Sequence, residues 1–124
     1  METVIILLLA YQVKHFLCDY PLQNEYMLGK FKREGWILPL TTHAGVHAIG
    51  TALIAFMFLP MHLLAAVVLL DFVAHFVIDR IKAHPDVGGQ FKPDQPQFWW
   101  ALGADQMAHH LTHYFIVYLI WSTL

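Results

Sequence analysis

Four apolar stretches of this chain each carry ionisable or amide side chains repeated every fourth residue. Asp71, His75 and Asp79 stand in one stretch, and Asp105, His109 and His113 in another. His43 with His47 and His15 with Asp19 and Gln23 repeat the device in the other two. A four-residue interval returns to the same face of an α-helix, so each set forms one polar stripe along an otherwise apolar rod. A charge placed at mid-bilayer costs roughly 2.5 to 3.5 kcal/mol even on lenient insertion scales. Stripes of this kind therefore demand a compensating partner, and a cluster of bound cations is the partner that carboxylates and imidazoles together select.

Composition sets the solvent. Of 124 residues, 58% are hydrophobic and only 13% charged, which is outside the range of ordinary soluble domains and points to an integral membrane protein. The length suits one helical domain, residues 1–124. A formal charge of −2 and the lack of any Lys/Arg run exclude nucleic acid as a partner. The single cysteine, Cys18, excludes an intramolecular disulfide and a thiolate-rich zinc site. The segment from Met1 to Ala10 imitates a secretory signal, but Glu2 replaces a basic start and no small-residue cleavage site follows, so a retained helix is expected.

The expected fold is all-α, a bundle of four transmembrane helices. The first runs from Thr3 to Cys18, is short for a span and closes near Asp19, ahead of Pro21. A polar connection follows from Leu22 to Gly35, with a short amphipathic piece at the membrane surface. The second span starts between Ile37 and Thr42, with Thr41 or Thr42 as N-cap, and continues to Leu59; Ala44, Ala48 and Ala52 give it a small-residue stripe for close helix contact. Pro60 marks a turn, Met61 to Ile81 form the third span, Ala83 to Pro96 form a Pro- and Gly-rich loop, and Phe98 to Trp121 form the fourth span. Six of the seven Lys and Arg residues lie at or in the first and third connections, so the positive-inside rule places those connections in the cytoplasm. A bacterial inner membrane with both termini on the outer side is the expected setting. All the stripes then fall in the cytoplasmic half, at similar depth.

His43, His47, Asp71, His75, Asp79, Asp105 and His109 are the candidate metal ligands. Seven donors exceed what one tetrahedral zinc accepts and suit a pair of divalent ions, zinc by preference with manganese or iron as alternatives. His15, Asp19 and His113 are expected as additional ligands or as partners that orient ligating imidazoles. Asp19 or Asp79 is the candidate general base. Lys14, Arg80 and Lys82 lie near the same boundary and are expected either to snorkel or to hold an anionic headgroup.

With Lys14-His15-Phe16, Asp19, Leu22-Gln23, His43, His47, Asp71-Phe72, His75, Asp79, Lys82, Asp105-Gln106 and His109, the chain resembles a group of small bacterial and phage membrane proteins, the domain-of-unknown-function family 3307. The resemblance implies no activity. A looser similarity is to membrane-bound metal-dependent hydrolases. The function expected from the residues is a divalent-metal-dependent hydrolase acting on a lipid-linked phosphoester at the cytoplasmic leaflet. Two alternatives stand beside it: a divalent-cation or proton transporter working as a homo-oligomer, and a metal-stabilised membrane interaction protein.

Overall fold

A computed structural model describes residues 1–124, which form four α-helices and no strand. These are α1 (Glu2–Asp19), α2 (Ile37–Ala55), α3 (Met61–Ala83) and α4 (Pro96–Trp121). Two short 3₁₀ turns, Met27–Phe31 and Gly88–Gln90, sit in the first and third connections. Residues 37–55 and 61–90, the latter holding α3 and the turn after it, are long and apolar enough to cross a membrane.

Helix boundaries follow proline placement. Pro96 opens α4 at a position whose backbone donor would be unpaired in any case, and Pro60 precedes α3 in an extended conformation. Pro39 falls in the first turn of α2, where a missing N–H again costs nothing. Neither Thr41 nor Thr42 caps that helix, contrary to expectation. The helix already begins at Ile37 behind Trp36, and the Thr42 hydroxyl donates back to the Leu38 carbonyl at 2.9 Å. α2 also stops at Ala55, short of the expected Leu59, and residues 56–59 make the turn. Gly35, at φ 69°, supplies the left-handed residue that swings the first connection into α2.

Around the bundle, α1 packs on α2, α2 on α3, α3 on α4 and α4 on α1. The end of α1 meets the start of α2, and the end of α3 meets the start of α4, through His47–Asp19 and His109–Asp79 contacts. The helices therefore alternate in direction. Because every polar stripe sits at the same end, the interior divides into two tiers. Leu7, Tyr11, Ala55, Val67, Ile116 and Ile120 are among the residues that fill the far tier. Lys14, His15, His43, His47, Asp71, His75, Asp79, Asp105, His109 and His113 fill the near tier and are all buried. The exterior is the reverse, with Ile6, Leu9, Phe16, Ile49, Leu53, Leu69, Ile81, Leu111 and Phe115 exposed. A polar half-core under an apolar coat inverts the usual arrangement of a water-soluble bundle.

Candidate metal centre

The buried face of each helix continues the four-residue repeat into the site. On α2 the series His43, His47, Thr51, Ala55 is wholly buried, and on α3 the series Val67, Asp71, His75, Asp79, Ala83. On α4 the buried face runs Asp105, His109, His113 and then Ile116, Val117 and Ile120. Small residues let these faces approach: Ala44 and Ala48, two of the expected stripe, are buried in the α2 packing.

Three sets of donors converge. Asp19, His43 and His47 form one, Asp79, Asp105 and His109 a second, and His15, His75 and His113 a third; within each set the donor atoms lie within 4.8 Å of one another. In the first, Asp19 Oδ1 is 2.9 Å from His47 Nε2 and 3.3 Å from His43 Nε2. In the second, His109 Nε2 is 2.9 Å from Asp79 Oδ1 and 3.4 Å from Asp105 Oδ1. The two sets are joined, because His43 Nε2 also lies 3.0 Å from Asp79 Oδ2. Despite these short separations, His43 Nε2 and Asp105 Oδ1 are buried and have no hydrogen-bond partner. Within each set one pair does hydrogen-bond, His47 Nε2 with Asp19 Oδ1 and His109 Nε2 with Asp79 Oδ1, each at 2.9 Å, while the third ligand atom crowds the same point unpaired, as a shared ligand would arrange it. Zinc–ligand bonds of about 2.0 to 2.1 Å in a tetrahedron place neighbouring donors about 3.3 Å apart, close to the separations seen here. The donor chemistry and spacing of the first two sets therefore fit divalent ions.

The third set differs. His15 Nε2 faces two acceptors, Asp19 Oδ2 at 3.1 Å and Gln106 Oε1 at 2.8 Å, a geometry that orients the Asp19 carboxylate. His75 is wedged between two other rings, with centroids 3.9 Å from His47 and 4.3 Å from His109, and its Nε2 is buried without a partner.

Asp71, expected among the ligands, joins none of these sets. Its Oδ2 accepts from Lys14 Nζ and from Thr51 Oγ1, each at 2.6 Å, and its Oδ1 lies 3.1 Å from His75 Nδ1 and 3.6 Å from His113 Nε2. Lys14 is accordingly not at the headgroup boundary. It is 6% exposed, its stem crosses α2 where a Cβ on Gly50 would lie 2.8 Å from its Cγ, and its ammonium neutralises Asp71 within the bundle. The signal was present in the sequence: Lys14 shares the buried face of α1 with Leu7, Tyr11, His15 and Cys18.

Arg80 is also turned to a different task from the expected one. Its guanidinium donates to the Lys30 and Lys32 carbonyls at 3.1 and 3.3 Å and stacks 3.8 Å over the Trp36 ring. It thereby pins the first connection against α3. That connection carries Lys30, a residue sequence reasoning left in the surface loop; it is 5% exposed and donates to Asp79 Oδ2 at 3.1 Å and to Gln23 Oε1 at 3.0 Å. Lys82, the third expected cation, stays partly exposed with Nζ 3.5 Å from Asp105 Oδ2. Gln106 Nε2 donates to the same carboxylate oxygen at 3.0 Å.

The site opens at one end. A polar cavity of about 180 Å³, bounded by Asp19, Gln23, Lys30, Asp79, Lys82 and Asp105, leads from the connection side to the first two donor sets. It brings three carboxylates and two ammonium groups to one small volume.

The sequence profile of one family, described as protein of unknown function (DUF3307), matches residues 4–124. The chain belongs to that family. The match spans all four helices, so the donor sets and the polar cavity lie inside the shared domain. No curated protein and no solved structure matches the chain.

Proposed function

We propose that this protein is a membrane-embedded, divalent-metal-dependent hydrolase acting on the phosphoester of a lipid-linked substrate. The observation that carries the reading is the pair of carboxylate–imidazole sets, joined by the His43–Asp79 contact and opening into a cavity flanked by Lys30 and Lys82. Charge supports it. Asp19, Asp71, Asp79 and Asp105 are four carboxylates in the near tier, against two buried ammonium groups, Lys14 and Lys30, which leaves two negative charges for the imidazoles, the part-exposed Lys82 or bound cations to balance. Buried charge without a partner is strongly unfavourable, and divalent cations remove the excess.

In this reading Asp19, His43 and His47 would hold one ion and Asp79, Asp105 and His109 another. Ions so placed would supply an activated water and neutralise charge on a phosphoryl group. Lys30 and Lys82 bind the phosphate oxygens from the cavity walls. Asp19 lines the cavity and keeps Oδ2 on His15, clear of His43 and His47, so it accepts the proton of the attacking water. The water oxygen forms the new bond to phosphorus, the ester P–O bond breaks, and the proton leaves on the departing alkoxide. The inverted exterior supports four membrane spans, and the concentration of Lys and Arg around the cavity end supports a cytoplasmic mouth in a bacterial inner membrane, with both termini outside. The apolar far tier argues against the transporter reading, since it offers an ion no onward path.

The test is hydrolysis of a lipid phosphate by purified protein loaded with zinc or manganese, beside Asp79→Asn. Release of phosphate or phosphorylated headgroup by the native protein, lost in the variant, is the expected result. Full metal occupancy without turnover of any lipid phosphate would overturn the proposal.

A further inference from the structure

We infer that the groove between α3 and α4 is the binding subsite for one hydrocarbon chain of a lipid phosphate whose phosphate occupies the polar cavity. The inference rests on the hydrolase reading for the position of the phosphate and adds where, and in what form, the apolar part of the ligand is held.

The groove encloses about 290 Å³ and is almost wholly apolar, walled by Ile78 and Ile81 of α3, Ala104 and Ala108 of α4, and Val87 and Phe91 of the third connection. Part way along it stand Lys82 and Asp105, its charged residues, and those same two residues line the polar cavity. Apolar trough and charged mouth are thus continuous. Asp105 marks the junction: it is 5% exposed, and its Oδ1 is buried there without a hydrogen-bond partner, so a cation held by it would lie beside the Lys82 ammonium, and both would face the phosphate. An amphiphile with a phosphate at Lys82 and a chain along α3 satisfies both halves at once.

The walls set the width. Alanine at 104 and 108 keeps the α4 side shallow, and the third connection closes the groove from above at a fixed position. A Cβ on Gly88 would collide with the Lys82 carbonyl, and one on Gly89 would lie 2.6 Å from the Ala83 carbonyl oxygen, so this loop is seated directly on the end of α3. From Ala101 to Ala108 the α4 wall runs about 10 Å at 1.5 Å per residue. A narrow trough of that length accepts a single acyl or prenyl chain side by side with its own helices, and the exposed Ile81 and Ala104 leave it open toward lipid. A second apolar hollow, between α1 and α2 along Val13, Leu17, Ile49 and Leu53, has no carboxylate on its walls and serves as the internal comparison.

The experiment measures binding, without turnover, to the metal-loaded full chain in nanodiscs of zwitterionic lipid. The probes are inorganic phosphate, butyl phosphate and hexyl phosphate, tested on the native protein, on Ala104→Phe, on Ala101→Leu as a second groove-narrowing variant, and on Leu53→Phe in the comparison hollow. Each buried methylene is worth roughly a four-fold gain in affinity. Hexyl phosphate is therefore expected to bind the native protein and Leu53→Phe about ten-fold or more tighter than butyl phosphate. In Ala104→Phe and Ala101→Leu that ratio is expected to fall to what partitioning into the lipid alone gives. A ratio unchanged by both groove variants, or abolished by Leu53→Phe instead, overturns the inference while leaving the hydrolase reading intact. Failure of inorganic phosphate and both alkyl phosphates to bind the metal-loaded protein overturns the phosphate site, and the groove assignment with it.

Discussion

Removing the Lys14 ammonium while keeping its stem, by Lys14→Met, tests whether Asp71 is balanced inside the bundle by an ion pair or by a metal. Asp71 is fully buried, and Lys14 Nζ and Thr51 Oγ1 are its two donors at 2.6 Å. Breaking a buried pair from one side leaves an uncompensated charge and costs about 3 to 5 kcal/mol. Thr51 continues to donate, which places the expected loss at the lower end. For a chain of this size that loss lowers Tm by roughly 10 °C or more. Asp71→Leu alone strands the ammonium and is expected to cost a similar amount. Replacing both, Lys14→Met with Asp71→Leu, removes both charges together and is expected to lie within about 1 kcal/mol of the native protein or above it, since apolar substitution of a whole buried pair is often neutral or stabilising. The cycle thus predicts strong coupling, with the two single losses far exceeding the double loss. Thermal unfolding in detergent gives the stabilities, and metal content per chain, measured on the same samples, gives the second readout. The double variant is expected to keep the native metal stoichiometry. A Lys14→Met protein as stable as the native chain, a double variant as unstable as the sum of the singles, or a double variant that has lost an ion would each refute the assignment of Asp71 to Lys14.

Gly50→Ala brings a Cβ to 2.8 Å from the Lys14 stem, and despite a gain of about 1 kcal/mol in helix propensity it is expected to lower Tm. In a Lys14→Ala background the same change is expected to raise it, and a destabilisation that persists there would separate Gly50 from Lys14. His15→Ala removes the side chain that holds Asp19 Oδ2 and is expected to weaken zinc binding about 10- to 100-fold by competition with a chromogenic chelator, the usual range for a residue that orients a ligand; unaltered affinity would free Asp19 from that dependence. Arg33 and Asp86 pair through two bonds of 2.8 Å and tie the first connection to the third, and the arginine holds the Asp86 carboxyl below its ordinary range. A lowered carboxyl contributes its attachment above the usual carboxylate pKa of about 3.9 and loses it as pH falls through the depressed value. Amide protection in residues 84–91, corrected for the intrinsic pH dependence of exchange, is therefore expected to be steady near neutrality, to fall only in strong acid, and to be modestly lower at neutral pH in Asp86→Asn.

What could be read from the sequence was periodic, and what could not depended on which helix stood opposite. The four-residue repeats fixed the helices to within a few residues and placed the carboxylates and imidazoles at one end, because a regular stripe specifies its face without reference to its neighbours. The partners of those stripes required the third dimension. Asp71 and Asp79 look equivalent along α3, yet one faces Lys14 across the bundle and the other faces His43, His109 and Lys30. Lys14 shares the spacing of Leu7, Tyr11 and Cys18, so its inward direction was available, but a lysine near a helix end is read as snorkelling unless an acid at matching depth is sought on another helix. Thr51 was available in the same way as the next member of the His43, His47 series. Lys30 was not available at all, since its burial depends on Arg80 and Trp36 folding the first connection over the bundle end. The excess of buried acid over lysine, which the stripes alone exaggerate, is thus halved, from four carboxylates to two without a buried ammonium of their own. The remaining pair of charges lies with Asp19, Asp79 and Asp105, the carboxylates that border the open cavity, and the apolar groove meets the cavity at Asp105. Carboxylates that outnumber the buried lysines at the accessible end of the site, against one-to-one pairing at its closed end, are the distribution expected where ions and an anionic ligand enter from one side.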